Sequence, residues 1–80
     1  MLDSITLGRL IRQERKRQGL RQQQLAAASG VGLRFLIELE HGKATAQLGK
    51  VLAVLAALGC EWQVRRVDGS PVFAGEAAVG

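Results

Sequence analysis

The sequence lacks most of the features that mark secreted and membrane-bound proteins. Its one cysteine, Cys60, cannot form an internal disulfide, which excludes a disulfide-stapled secreted scaffold. The longest apolar run covers the eight residues 51–58, whereas a membrane-spanning helix needs about 20. The N-terminus shows no basic stretch followed by an apolar one, so no signal peptide is visible. These absences predict a soluble cytoplasmic protein.

Catalytic and metal-binding groups are equally scarce. His41 and Cys60 are the only residues of their kinds, and a zinc site needs about four ligands at short spacings. No phosphate-cradling glycine loop of the GxGxxG type and no paired carboxylates are found. We therefore expect no enzyme activity, no metal and no cofactor.

What the sequence does contain is enough apolar residues for one core and an uneven distribution of charge. Eighty residues with 48% apolar content fit a single small domain. The formal net charge is +4, from 11 basic and 7 acidic residues. All of the excess lies in residues 1–43, because residues 44–80 carry equal numbers of each sign. Such a basic block indicates a polyanionic partner, either nucleic acid or an acidic membrane surface.

The spacing of apolar residues predicts three helices within the basic half. The first begins near Ser4 or Thr6, either of which is a suitable N-cap. The second and third cover residues 21–29 and 32–41, and Gly30 supplies the tight break between them. Two short helices joined by a glycine-bearing break, the second with an exposed face, form a helix-turn-helix unit.

The second half of the chain, residues 44–80, has no net charge, and its pattern predicts one more helix and a strand. A fourth helix follows Thr45 as its N-cap and carries a single apolar stripe. After it, apolar and polar residues alternate from Cys60, which is typical of a half-buried strand. We expect an all-α fold of four to five helices, with a DNA-binding domain over 1–59, a dimerisation strand over 60–68 and a flexible tail over 69–80.

A lone strand in a helical domain needs a partner for its backbone groups. A two-fold related copy offers an antiparallel strand, with Trp62 and Val64 as the apolar anchors of a homodimer interface. Alternatively, these two side chains cover the base of the fourth helix within one subunit. The tail from Val72 to Gly80 either frays or becomes ordered on a partner.

The segment from Leu20 to Lys43 strongly resembles the lambda-repressor-like, Xre-type helix-turn-helix family. The matching positions are Gln22, Leu25, Ala26, Gly30, Val31, Leu36, Leu39, Glu40 and Gly42. Within that family, the chain is most similar to the HipB-like (Y4mF-type) antitoxins, through the segments RFLIELEHGK and TAQLGKVLAVLAALG. The resemblance implies a homodimer that represses its own operon through palindromic double-stranded operator DNA and binds a HipA-like kinase toxin. The alternatives are a stand-alone Xre-family regulator and a protein-binding adapter with the same fold.

The same resemblance assigns roles to individual residues. The base-reading positions would be Gly32, Leu33, Arg34 and Glu38. The phosphate-contacting positions would be Arg21, Gln22, Gln23, His41 and Lys43. Arg15 and Glu40 would form a structural ion pair between the first helix and the end of the third. Arg34 is the strongest candidate for base reading, because a guanidinium that donates two hydrogen bonds to guanine contributes about 1–3 kcal/mol of discrimination against other bases.

Several positions depart from the family pattern or keep two interpretations. Arg21 stands where the second helix usually has Thr or Ser, and Gly32 stands where the third has Ser. Leu33 and Ile37 replace common polar residues, so thymine methyl contacts and DNA shape would take a larger share of recognition. Glu38 either contacts a base or only adds solubility, and Phe35 belongs either to the core or to a contact surface. The six basic residues from 9 to 21 either lie on a solvated face or, by the resemblance, face the DNA backbone.

Overall fold

The computed structural model describes residues 3–70 and 72, and these residues contain four α-helices. The helices are α1 (Ser4–Arg17), α2 (Gln22–Ser29), α3 (Leu33–Glu40) and α4 (Leu48–Ala57). The expected all-α fold is therefore confirmed, with four helices in the described part of the chain. None of these helices is long and apolar enough to cross a membrane.

Two predicted N-caps were wrong. α1 is capped by Asp3, whose Oδ1 accepts a hydrogen bond from the backbone N–H of Thr6 at 2.7 Å. This carboxylate stands one residue before Ser4, and its negative charge is favoured at the positive end of the helix dipole. α4 starts after Gln47, because Thr45 is still part of the turn that precedes the helix.

All four helices contribute side chains to the core. Ile11 of α1, Leu25 of α2, Leu36 of α3 and Val54 of α4 are the largest fully buried side chains. α2 packs against both α3 and α4, and α1 packs against α3. Phe35 is half-buried against this core, with the Lys50 ammonium 5.5 Å from its ring centroid. Of its two interpretations, Phe35 therefore takes the core position.

The backbones of α1 and α3 come so close at Gly8 that there is no room for a side chain between them. A Cβ atom on Gly8 would lie 2.4 Å from the carbonyl oxygen of Leu39 and 2.8 Å from that of Glu40. Real Cβ atoms do not come this close to backbone, so only glycine permits the crossing. The end of α3 is thereby held directly against α1.

The segment after α4 differs from the expected continuous strand. In this segment only Arg65 forms a β-bridge, among the residues that the structure describes. The chain turns back at Gly69, which has φ +92°. The backbone N–H of Arg66 donates to the carbonyl of Ser70 at 2.8 Å, and that of Val72 donates to Val64 at 3.2 Å. Two of the backbone groups that a second copy was expected to pair, the N–H of Arg66 and the carbonyl of Val64, are thus paired within the chain. Of the predicted tail, residues 71 and 73–80 lie outside the described residues.

Candidate nucleic-acid interface

The α2–α3 unit has the geometry of a helix-turn-helix. α2 begins after Arg21, which gives no side-chain cap; instead Gln24 Oε1 accepts from the backbone N–H of Arg21 at 2.8 Å. The helix ends at Gly30 in the left-handed conformation, with φ +72°. Gly32 is the N-cap of α3, as the sequence indicates, so the two helices are joined by only three residues, 30–32.

The first turn of α3 presents the predicted base-reading residues. Gly32, Leu33 and Arg34 are all exposed. Within residues 3–70, Arg34 has no salt bridge or side-chain hydrogen bond, so its guanidinium is available to a ligand. Glu38 lies one turn further along α3, where its carboxylate pairs with the ammonium of Lys43 at 3.2 Å. A role for Glu38 in base contact or for Lys43 in phosphate contact thus has to compete with this ion pair.

Arg15 and Glu40 form a buried, two-pronged ion pair. Arg15 Nε lies 2.7 Å from Glu40 Oε2, and Arg15 Nη2 lies 3.1 Å from Glu40 Oε1. Arg15 Nη1 also donates to the carbonyl of Leu20 at 2.8 Å. Gln22 Nε2 donates to the same Glu40 Oε1 at 3.1 Å. One carboxylate thereby joins α1, the start of α2 and the end of α3.

A small polar hollow opens beside this ion pair. It has a volume of about 180 Å³, and its lining residues are Arg12, Arg15, Gln22, Glu40 and His41. Two predicted phosphate-contacting residues line this hollow together, Gln22 at the start of α2 and His41 directly after α3. The His41 ring is oriented by Nδ1, which donates to the carbonyl of Ile37 at 2.8 Å because a carbonyl can only accept. The other three predicted phosphate-contacting residues, Arg21, Gln23 and Lys43, are exposed outside the hollow.

The opposite side of α1 borders an apolar groove of about 820 Å³. Its walls include Leu10 of α1 and Leu48 of α4, which are 51% and 58% exposed, and Trp62, which is 53% exposed, closes it. Lys16 and Arg17 also line this groove. Of the six basic residues from 9 to 21, these two therefore border the groove and not the side of α1 that faces α3, because a helix displays successive side chains around its whole circumference.

Two of the charged residues on the groove side, Glu14 and Arg17, form an ion pair with each other. Arg17 Nε donates to Glu14 Oε1 at 3.0 Å, and Gln18 Nε2 donates to Glu14 Oε2 at 2.8 Å. The hydrogen bond from Arg17 is the main cause that lowers the pKa of Glu14 to about 2. Gln18 Nε2 also donates to the carbonyl of Leu58 at 2.8 Å, which ties the end of α1 to the end of α4.

From the sequence, Arg12 is only one of the six basic residues that either lie on a solvated face or face the DNA backbone, with no closer assignment. The signal was its position one helical turn before Arg15, but the spacing alone could not show that Gln22 and His41 lie next to it. In the described part of the chain, no group of three His, Cys, Asp or Glu residues could hold a metal ion.

The arrangement of α2 and α3 defines a helix-turn-helix fold in which the first turn of α3 is exposed. Residues 11–64 match the helix-turn-helix family HTH_3, and the chain belongs to that family. Over 54 residues it is 61% identical to y4mF, an uncharacterized HTH-type transcriptional regulator of Sinorhizobium fredii (strain NBRC 101917 / NGR234). That match covers 68% of this chain and 71% of the relative. The protein is a helix-turn-helix transcriptional regulator, which confirms the prediction that it is not an enzyme.

Solved structures share the fold. The restriction-modification controller protein C.AhdI of Aeromonas hydrophila is 30% identical, with a TM-score of 0.66, over 71% of this chain and 86% of its own. HipB in its complex with an O2 20-mer has a TM-score of 0.78 over 84% of this chain and 93% of its own, at 16% identity. HipB in a HipA-HipB-O2-O3 complex matches equally well, with a TM-score of 0.78 and 16% identity over 84% of this chain and 94% of its own. At 16% identity, the likeness to HipB concerns the fold alone.

Proposed function

We propose that the protein is a homodimeric, sequence-specific repressor that binds palindromic operator DNA in its own promoter. The observation that carries this proposal is the exposed first turn of α3, where Arg34 makes no ion pair with any described residue. A free guanidinium at the start of a recognition helix can fork onto the O6 and N7 atoms of guanine. Operator binding would place the protein at the nucleoid, in the cytoplasm.

A homodimer is supported by the apolar surface around Trp62. An indole that is 53% exposed at the end of an apolar groove is unusual for a stable monomer surface. Val64 is also exposed, at 55%, on the segment that follows. Two copies joined here would present two copies of α3 to DNA about one helical turn apart, roughly 34–36 Å, which corresponds to a palindromic site.

The finer part of the proposal is that this repressor is the antitoxin of a HipA-like kinase toxin. It is supported by the sequence resemblance to HipB-like antitoxins and by the shared fold with HipB, which has been solved together with HipA. A second candidate is a regulator without a toxin, which is favoured by the likeness to C.AhdI, a restriction-modification controller protein.

The DNA proposal is tested by a footprint and a binding titration on the protein's own promoter at several salt concentrations. Affinity should fall steeply with salt, because every neutralised phosphate releases condensed counterions. Arg34→Ala should relax base preference at one position in each half-site, whereas Arg21→Ala should weaken all sequences alike. A flat salt response would refute DNA binding, and an unchanged base preference in Arg34→Ala would refute the assignment of the reading residue.

The antitoxin proposal is tested by repeating the footprint with the product of the neighbouring gene. If that product is a HipA-like kinase, it should copurify with the repressor and alter the footprint. A neighbouring gene of another kind, or a kinase that does not copurify, would favour the regulator without a toxin.

A further inference from the structure

The polar hollow lies between three elements that the fold holds in fixed relation. Arg12 comes from α1, Gln22 from the first turn of α2, and His41 from the end of α3. The Arg15–Glu40 ion pair forms part of its lining, and both side chains are buried. A volume of about 180 Å³ accommodates several groups of water size, since a water molecule takes about 30 Å³ of the liquid.

Within the hollow, positive charge is in excess. The carboxylate of Glu40 would repel an anion by itself, but Arg15 contacts both of its oxygens and Gln22 donates to one of them. Arg12 adds a second guanidinium that is exposed and has no salt bridge to any residue in 3–70. With one negative and two positive groups, the lining carries a net charge of +1 when His41 is neutral.

Hydrogen-bond donors are also available to an anion. An amide NH₂ group has two N–H donors, and Gln22 uses one of them on Glu40. Arg12 has five donors in a planar fork, which matches the oxygens of a phosphate group. The first-turn amides of α2 lie next to Gln22, at the positive end of the helix dipole.

We propose that this hollow binds one phosphate group of the DNA backbone and that Arg12 is its principal cation. The proposal rests on the DNA-binding function proposed above and adds to it a contact from α1. Arg12 is distinguished from the other cations of α1 by its surroundings: Lys16 and Arg17 line the apolar groove, and Arg9 lines neither feature. A phosphate held here would fix the tilt of α3 against the duplex, because Glu40 and His41 at the end of α3 belong to the same lining.

The test compares Arg12→Ala with Arg9→Ala, which removes the same charge from an exposed position on the same helix outside the hollow. Binding to the operator is titrated across a range of salt concentrations. The steepness of log affinity against log salt should decrease by about 1.8 in Arg12→Ala, which is about 0.9 for the phosphate lost from each of the two half-sites, and should stay near that of the wild type in Arg9→Ala. Arg12→Lys should keep the slope, because a phosphate contact can be made by an ammonium group. Circular dichroism should show the same helix content in all three variants.

Ethylation interference provides an independent readout of the same contact. With the wild-type protein, ethylation of one particular phosphate in each half-site should block binding. With Arg12→Ala, and with neither of the other two variants, ethylation of that phosphate should no longer weaken binding. If Arg12→Ala keeps every interfering phosphate of the wild type, or if its slope equals that of Arg9→Ala, the hollow is not a phosphate site although DNA binding stands. If the wild type binds no DNA in a salt-dependent way, both proposals are overturned.

Discussion

The two sides of α1 are built in opposite ways. On the side of α3, Gly8 lets the backbones touch, and the buried Arg15–Glu40 ion pair closes the contact. On the side of α4, Leu10 and Leu48 remain about half exposed across an open groove. No described side chain has a buried polar atom without a hydrogen-bond partner, so the polar network beside α3 is complete within one chain.

This difference indicates what kind of ligand each side can take. A side whose buried polar groups are already hydrogen-bonded can receive a charged ligand such as DNA at its exposed donors without breaking those bonds. A side that leaves apolar side chains in water gains free energy when another apolar surface covers it, at about 25 cal/mol for every Å² buried. We therefore assign DNA to the α3 side and a protein partner to the α4 side, and the predictions below test that division.

The largest effect is expected for Glu40→Ala, which removes the centre of the α3 side. The variant leaves the Arg15 guanidinium buried without its counter-ion, which costs about 3–5 kcal/mol of unfolding free energy. Urea denaturation measures the loss, with Glu38→Ala as the control, because its more exposed ion pair with Lys43 contributes about 0–1 kcal/mol. The double variant Arg15→Met/Glu40→Leu should recover most of the loss, since it buries no charge. Equal losses for Glu40→Ala and Glu38→Ala would contradict this account of the α3 side.

Next in size is the effect of Gly8→Ala. The added methyl group meets the carbonyl oxygens of Leu39 and Glu40 and should force α1 away from α3, at a cost of about 1–3 kcal/mol. Gly49→Ala is the matched control, because no atom of another part of the chain lies within 4 Å of the added Cβ. In that variant alanine should stabilise α4 by up to about 1 kcal/mol. Thermal or urea unfolding measures the stability of both variants. If the two substitutions change the free energy of unfolding in the same direction, the close contact between α1 and α3 at Gly8 is not what limits residue 8 to glycine.

On the α4 side, Trp62→Glu should affect association more than folding. A carboxylate at the end of the groove would have to lose its water in a dimer, so we expect the dimer dissociation constant to rise at least about tenfold, or 1.4 kcal/mol. Ile5→Glu places the same group at an equally exposed apolar position, 53% accessible, outside the groove. Sedimentation at several concentrations separates the two variants. A Trp62→Glu protein that dimerises like the Ile5→Glu protein would remove the groove from the interface.

The sequence predicted the elements better than the contacts between them. Apolar spacing located α2 and α3, and glycines at 30 and 32 marked the turn, because these signals are local. The hydrogen bond from Gln22 to Glu40 and the neighbourhood of Arg12 depend on how three helices cross, which no local pattern encodes. The alternation after Cys60 indicated a strand, but the backbone bonds across the turn at Gly69 gave part of it a partner within the same chain.

The smallest predicted effect concerns the ion pair that borders the groove. Hydrogen bonds from Arg17 and Gln18 lower the pKa of Glu14 to about 2, from an ordinary value of 4.5. A lowered pKa means that the folded state favours the carboxylate of Glu14. The stabilisation that this carboxylate gives is therefore complete above pH 4.5 and is lost as pH falls toward 2. The pKa of Asp3 is lowered mainly by the backbone N–H of Thr6 and that of Asp68 mainly by the hydroxyl of Ser70, so both add to the same acid sensitivity. The test therefore measures the difference in unfolding free energy between the wild type and Glu14→Gln as a function of pH. That difference should shrink between pH 4.5 and 2, and added salt should reduce it at every pH, because exposed charges are screened. Since Gln18 also donates to the carbonyl of Leu58, a difference that does not change with pH would mean that Gln18 holds α1 to α4 without help from the charge of Glu14.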